Sequence, residues 1–307
     1  MKFDAAFDKW LAANDAGMSE GSRSAYTFAV RRFAAFCKAH RLQVEDVHKR
    51  HIAAYMAEAT DEIKGWTVMG QVKLLKRVFE WAVAEGLAET NPVQLKSLPK
   101  LVRHRADRTA FTADDYAAIM EHVGAAKPYW RLACALAWHT GLRMVDVANL
   151  QWEHVDFSVR VLSVKPIKLQ RFGQQLEIPM ADELYEALIQ RHTESTTEEP
   201  GEYVQPDMMM AYKYGRTRLV EQFEQLRKRA GLSGGSFHSF RHAVATRLIN
   251  AGADSLVVAS ITGHSLKQLK EYTHVSMEAK RNAFSIAQKV LTPPFRNENL
   301  RTALERL

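Results

Sequence analysis

Cysteine is almost missing from this chain. Only Cys37 and Cys134 occur in 307 residues, so neither a disulfide framework nor a cysteine zinc site can be built. Both fall in apolar helical patterns, which predicts buried free thiols. No apolar run approaches the ~18 residues of a membrane-spanning helix. The opening MKFDAAFDKWLAAN is charged and amphipathic, without the apolar centre of a signal peptide, so the chain is expected in the cytosol. There is no glycine-rich phosphate loop, which argues against a nucleotide-binding enzyme. Internal repeats and low-complexity segments are absent too.

What is present is an ordinary globular balance, 47% hydrophobic and 25% charged, in a chain long enough for two domains. The net charge of +7 suits a polyanionic partner. It is unevenly spread. Residues 1–105 hold 17 Lys+Arg against 12 Asp+Glu, a net of +5; the remaining 25 and 23 leave +2. The first part is therefore the better candidate for contact with a nucleic-acid backbone.

Periodicity predicts four helices in that part: Phe3–Ala13, Ser19–His40, about 44–59 opened by Val44-Glu45-Asp46, and Thr67–Glu85 stopped by Gly86. A basic stretch without clear periodicity, Leu98–Thr109, reads as a linker that could pass along DNA phosphates. Beyond it Thr112 is a helix N-cap with acidic residues in the first turn. Helices are expected to about Glu121, over Tyr129–Trp138, Val145–Leu150, Ala181–Arg191, Tyr214 to about Ala230, His238–Ala251, Ser255–Thr262 and Ser276–Val290. Val155–Lys165 and Gln174–Ile178 alternate as two short strands around a turn, and Thr193–Asp207 reads as a polar loop. The expected organisation is a helical DNA-binding domain over 1–98, a basic linker over 99–110, and a catalytic domain over 111–307 whose last segment serves subunit contacts. The expected fold class is mainly α with a small antiparallel β-sheet.

The stretch Phe237–His274, FHSFRHAVATRLINAGADSLVVASITGHSLKQLKEYTH, carries the chemistry. Cleaving a phosphodiester without a metal requires cations for the charge on the two non-bridging oxygens, and arginine's planar, always protonated fork suits them. The leaving oxygen needs a proton, which a lysine on a turn can give. A nucleophile that forms a covalent intermediate keeps the bond energy, and a tyrosine in that role needs cationic neighbours to favour its phenolate. Arg143, Lys168, His238, Arg241, His264 and Tyr272 are of these types. Taken singly each has a plain structural alternative: a surface arginine, a solvated hairpin lysine, a helix-capping histidine, an aromatic at a helix edge. His238 and His242 stand four apart, but no acidic or cysteine partner is placed beside them, and no metal is assigned.

As an ordered set these residues resemble the tyrosine recombinases, or phage integrases. The resemblance rests on Thr140-Gly141-Leu142-Arg143, Lys168 in the hairpin, His238-Ser239-Phe240-Arg241, Gly263-His264 and Tyr272-Thr273-His274, with Asp146 at the family's supporting acidic position. It extends over nearly the whole chain. It implies an all-helical SAM-like core-binding domain, a mixed α/β catalytic domain, and no arm-site domain ahead of them. It also implies strand exchange: Tyr272 attacks the scissile phosphate to form a 3′-phosphotyrosyl link, Arg143 and Arg241 clamp the non-bridging oxygens, Lys168 protonates the leaving 5′ hydroxyl, and His238 and His264 assist. No ATP, metal or other cofactor is implied. The implied partners are double-stranded DNA recombination sites, further subunits in a homotetramer, and accessory DNA-bending proteins; Arg23, Arg31, Arg103 and Arg105 are the candidate DNA contacts. Lys165 is the rival for the hairpin lysine. His264 and Tyr272 are eight residues apart, one fewer than the family's usual spacing, so a tighter loop is expected. The alternatives are a type IB topoisomerase-like relaxing enzyme and a non-catalytic DNA-binding protein.

Overall fold

A computed structural model describes residues 1–99, 101, 109–169, 173–195, 202–269, 281 and 285. The chain divides into two compact units, Met1–Ala106 and Asp107–Leu307. Among the described residues no helix is long and apolar enough to cross a membrane.

The first unit is built from helices α1 (Phe3–Asn14), α2 (Glu20–Ala39), α3 (Lys49–Glu62) and α4 (Gly65–Ala84). Ser19 starts α2 by accepting the Ser22 N–H, which satisfies one of the donors a helix start leaves open. Aromatic rings fill the centre. Phe33 meets Phe3 edge-on at 4.8 Å and Tyr55 edge-on at 5.1 Å, the geometry the ring quadrupole favours. One polar pair lies inside, with Tyr55 donating to Gln71 Oε1 at 2.6 Å. The third helix starts at Lys49, five residues later than the sequence pattern predicts. Val44 and Val47 are buried, but in a turn: the Asp46 carboxylate accepts the Gln43 N–H at 2.9 Å and closes it. An aspartate that satisfies a preceding amide favours a turn over a helix.

The second unit begins with α5 (Ala113–His122), where Thr112 and Asp115 form a reciprocal capping box. Then come α6 (Tyr129–Thr140), α7 (Met144–Ala148), strands β1 (Val155–Asp156), β2 (Val161–Val164) and β3 (Leu176–Pro179), and helices α8 (Asp182–Ser195), α9 (Pro206–Arg229), α10 (His238–Asn250), α11 (Ser255–Thr262) and α12 (Leu266–Leu269). The fold is thus mainly α with one small antiparallel sheet in the order β1-β2-β3.

Three boundaries differ from expectation. The single strand over Val155–Lys165 is a hairpin, because the Asp156 carboxylate collects the Ser158 and Val159 amides and Arg160 turns at φ +55. Helix α9 is two helical segments joined at a kink where Gly215 leaves the helical region (φ −156, ψ 45); the segment after the kink matches the helix expected from Tyr214, and an additional segment opens at Pro206, whose fixed φ and missing N–H suit a first turn. Helix α8 continues to Ser195, four residues past the expected end. The helix expected over Ser276–Val290 lies outside the described residues apart from Arg281 and Ser285, and so does most of the linker.

Helices α6 and α10 are buried on most of their circumference. From α6, Trp130, Ala133, Cys134, Leu136 and Ala137 are inaccessible; from α10, Phe240, Arg241, Ala243 and Ala245. A helix enclosed all round forms the centre of its unit, and these two pack on each other. Cys134 is a free thiol whose pKa burial pushes up, consistent with an inert core residue.

Candidate active site

Helix α6 ends at Thr140 because Gly141 takes the left-handed conformation, φ +70, and closes the helix on Ala137 O at 2.9 Å. The Thr140 hydroxyl accepts the Leu142 N–H at 3.1 Å. The chain reverses there, and Arg143 enters α7 as its extended N-cap. One turn on, Asp146 is buried. Its carboxylate lies 3.8 Å from Arg143 Nη1 and accepts the Ile167 N–H at 3.0 Å. One side chain thus joins the Arg143 turn to the turn between β2 and β3 that carries Lys168. Burial pushes the Asp146 carboxyl above the usual carboxylate range, while the Ile167 amide and the Arg143 and Arg241 guanidiniums act against it.

Helix α10 brings the histidine–arginine pair. Arg241 is 1% exposed, and its Nη1 donates to Gly141 O at 3.0 Å. A buried guanidinium keeps its charge and demands acceptors, so this bond ties α10 to the turn two residues before Arg143. His238 stands three residues earlier on α10 and is exposed. His242 is buried one turn on and meets it edge-on, ring centroids 4.7 Å apart at 83°. The His238 pKa is lowered, by partial desolvation of the ring first and then by the charges of His242, Arg241, Arg143 and Lys168. Lys168, not Lys165, is among those charges.

Gly263 ends α11 at φ +63 with its N–H on Ala259 O at 2.7 Å. His264 follows, buried, with Nδ1 2.8 Å from Thr262 Oγ1. Burial lowers its pKa to about 2, helped by Arg241, His238, Arg143 and His242. Both imidazoles are therefore neutral at pH 7. They are available for hydrogen bonding and proton transfer while arginine and lysine supply the positive potential.

Arg143, Asp146, Lys168, His238, Arg241 and His264 thus act on one another electrostatically although they come from four separate segments. Two guanidiniums, a lysine and two neutral imidazoles around one carboxylate make an anion site able to assist proton transfer. Among the described residues no group of three His, Cys, Asp or Glu is placed to hold a metal. Tyr272, Arg103 and Arg105 lie outside the described residues; of the His264–Tyr272 stretch the described part, up to Leu269, contains the short helix α12. In the first unit Arg23 pairs with Asp15 at 2.6 Å, and Arg31 is exposed on α2. Sequence reasoning missed two members of the site. His242 enters the sequence pattern only as a possible metal partner, yet its i,i+4 spacing from His238 is a usable signal of a ring beside it. Thr262 holds His264 and had no signal beyond proximity in the chain.

Residues 109–279 match the family model described as the phage integrase family. The chain is 26% identical over 287 residues to tyrosine recombinase XerC 2 of Ralstonia nicotianae, spanning 86% of this chain and 80% of that one. It is 25% identical over 268 residues to tyrosine recombinase XerD of Shewanella oneidensis, spanning 85% and 88%. Among solved structures it resembles a lambda integrase dimer bound to a COC' core site, with TM-score 0.71, 22% identity, and 90% and 97% of the two chains covered. It also resembles the Tn1549 transposon integrase in complex with a circular intermediate DNA, with TM-score 0.71, 18% identity, and 94% and 99% covered.

Proposed function

The chain belongs to the phage integrase family, and on that premise we propose that it is a site-specific DNA recombinase that breaks and rejoins strands through a covalent link to Tyr272. The observation that carries this is the pairing of two arginines through one turn: Arg241 Nη1 is bonded to Gly141 O, two residues from Arg143. Both guanidiniums act on the one carboxylate of Asp146, and two planar cations in one neighbourhood suit the two non-bridging oxygens of one phosphodiester. The named relatives, tyrosine recombinases and DNA-bound integrases, support the same reading.

In the proposed reaction the Tyr272 phenol oxygen attacks phosphorus and its proton passes to neutral His238. Arg143 and Arg241 neutralise the charge that builds on the non-bridging oxygens; donors of this kind are worth ~10²–10³ in rate each. The bond to the 5′ oxygen breaks, and Lys168 gives that oxygen its proton. His264, held by Thr262, hydrogen-bonds at the phosphate, and Asp146 keeps the Arg143 and Lys168 turns together. A 5′ hydroxyl of a partner strand reverses the step, so bond energy is retained and neither ATP nor a metal is consumed. The second unit is the catalytic domain. The first, with its net positive charge and exposed Arg31, is the core-binding domain that grips the duplex, joined by the basic linker bearing Arg103 and Arg105. Strand exchange requires several protomers on paired DNA sites; the solved lambda integrase tetramer on a Holliday junction supports a tetramer here. Accessory DNA-bending proteins and a cytoplasmic, nucleoid-associated location complete the proposal.

The test is a nicked duplex carrying a site recovered by binding selection, run with wild type and Tyr272→Phe. Wild type should trap a covalent protein–DNA adduct and the variant none. A variant that still traps adduct, or a wild type that binds the site without forming any, defeats the proposal. Joining of two distinct duplexes separates recombination from mere relaxation.

A further inference from the structure

We infer that Arg247, outside the constellation above, is a positioning residue that sets the spacing of the two-arginine clamp through its grip on the end of α6. The inference rests on the recombinase reading.

Arg247 lies on α10 six residues after Arg241, ~9 Å further along the helix axis. Its guanidinium carbon sits 3.8 Å from the centroid of the Trp138 ring, and its Nη2 donates to Trp138 O. Trp138 is in the last turn of α6, where carbonyls lose their intrahelical donors. The residue four further on is Leu142, and its N–H is committed to Thr140 Oγ1. Arg247 takes that vacated place. Its charge also lies at the negative end of the helix dipole.

The tryptophan is fixed from another side as well. Tyr116 of α5 stacks on its ring at 4.6 Å and 5°. Tyr116 and Arg247 therefore both pack on the indole. Beside it, His139 Nε2 lies 3.3 Å from Glu183 Oε2, and the Tyr116 hydroxyl donates to Glu183 Oε1 at 3.5 Å. None of these groups belongs to the proposed chemistry, yet all bear on residues 138–139, just ahead of the turn that presents Arg143.

Helix α10 therefore grips the end of α6 at two points, Arg247 on Trp138 O and Arg241 on Gly141 O. Arg241 is itself a clamp residue, so its grip alone would leave the α6 end free to shift with the group it must serve. Arg247 supplies an anchor independent of bound phosphate. A displacement of ~1 Å at a reacting centre costs up to ~10²-fold in rate, and the spacing of Arg143 from Arg241 is the quantity this anchor controls.

The test compares wild type, Arg247→Met and Arg247→Lys on the selected DNA site. It measures single-turnover adduct formation, DNA affinity and thermal unfolding. Methionine keeps much of the length and removes the charge, the plane and the donor; lysine keeps charge and a donor but loses the planar stack. Arg247→Met should cleave about 10-fold or more slowly with DNA affinity within about twofold, since its guanidinium is engaged by the Trp138 ring and carbonyl. Arg247→Lys should fall between. A substrate with a methylphosphonate at the scissile position lacks the oxygen charge the two arginines neutralise, so the gap between wild type and Arg247→Met should narrow on it. A defect of equal size on both substrates indicates a merely structural role and overturns the inference. So does an unchanged cleavage rate, or an affinity loss with a reduced salt slope, which would make Arg247 a backbone contact. If wild type forms no adduct on the ordinary diester, the recombinase reading itself fails and the inference falls with it.

Discussion

Substituting Gly263 by alanine tests how the fold holds His264. Gly263 has φ +63, and a Cβ placed there would lie 2.9 Å from Leu169 Cδ1 and 3.3 Å from Leu176 Cδ1. The left-handed conformation costs a non-glycine residue about 1–2 kcal/mol. The contact adds an overpacking cost in the range of ~1–3 kcal/mol. It should fall below the middle of that range, at about 1.5 kcal/mol, because Leu169 presents the flexible tip of a side chain on a turn, although Leu176 is buried in β3 and yields less. Together this is about 3 kcal/mol, or roughly 6–12 °C in Tm for a unit of this size. Gly252→Ala is the internal control. Its φ is +85 but nothing lies within 4 Å of the added carbon, so it should lose only the conformational part, about 1–2 kcal/mol. Urea unfolding of both variants reads the difference directly. Adduct formation should fall by about 10-fold or more in Gly263→Ala, because the adjacent His264 moves, and stay near wild type in Gly252→Ala. If the two variants are equally destabilised, or Gly263→Ala cleaves normally, the packing of the α11 end on the β2–β3 turn does not hold His264 in place.

Two further outcomes follow from the site. Lys168→Ala should slow cleavage by about 10²-fold or more and Lys165→Ala should have little effect; a substrate with sulfur in place of the 5′ bridging oxygen, whose thiolate leaves without a proton, should restore Lys168→Ala, and failure to do so refutes Lys168 as the acid. His264 has its pKa lowered from 6.5 to about 2, so its neutral ring contributes stability that is fully present above about pH 6.5 and is lost as the pH falls toward the folded value. Its share of the slope is at most ~1.4 kcal/mol per pH unit, and His264→Asn should flatten urea-unfolding free energies between about pH 6 and pH 4. An identical acid slope in variant and wild type would show that His264 is not buried in its neutral form.

Much of this molecule follows from local rules. Apolar residues at helical spacing mark α1, α2, α4, α10 and α11 within a residue or two, since a helix must turn one face to the core whatever that core contains. The Thr112–Asp115 capping box and the glycine stops at Gly86, Gly141 and Gly263 need only short-range geometry. The order of the arginine turn, hairpin lysine, histidine–arginine helix and Gly-His turn identifies the chemistry because each residue type answers one requirement of a phosphodiester reaction. Where local rules competed, the sequence misled: Val44 and Val47 have helical spacing, yet Asp46 satisfies a turn amide, and the alternating pattern over Val155–Lys165 is broken by the Asp156 and Arg160 turn.

Other features depend on residues far apart in the chain. The three-residue spacing of His238 and Arg241 puts them on one side of α10, but only packing against α6 makes the arginine inaccessible while the histidine stays open. Asp146 could support the site from its position in the sequence alone; that it holds the Lys168 turn through the Ile167 amide appears only once α7 lies beside the sheet. The grip of Arg247 on Trp138 joins residues 109 apart, and no pattern in either segment announces it. Spacing along the chain sets which side of an element a residue occupies. What that side meets is decided by close packing, and packing decides which charges are desolvated, which carbonyls find donors, and where two arginines come to stand.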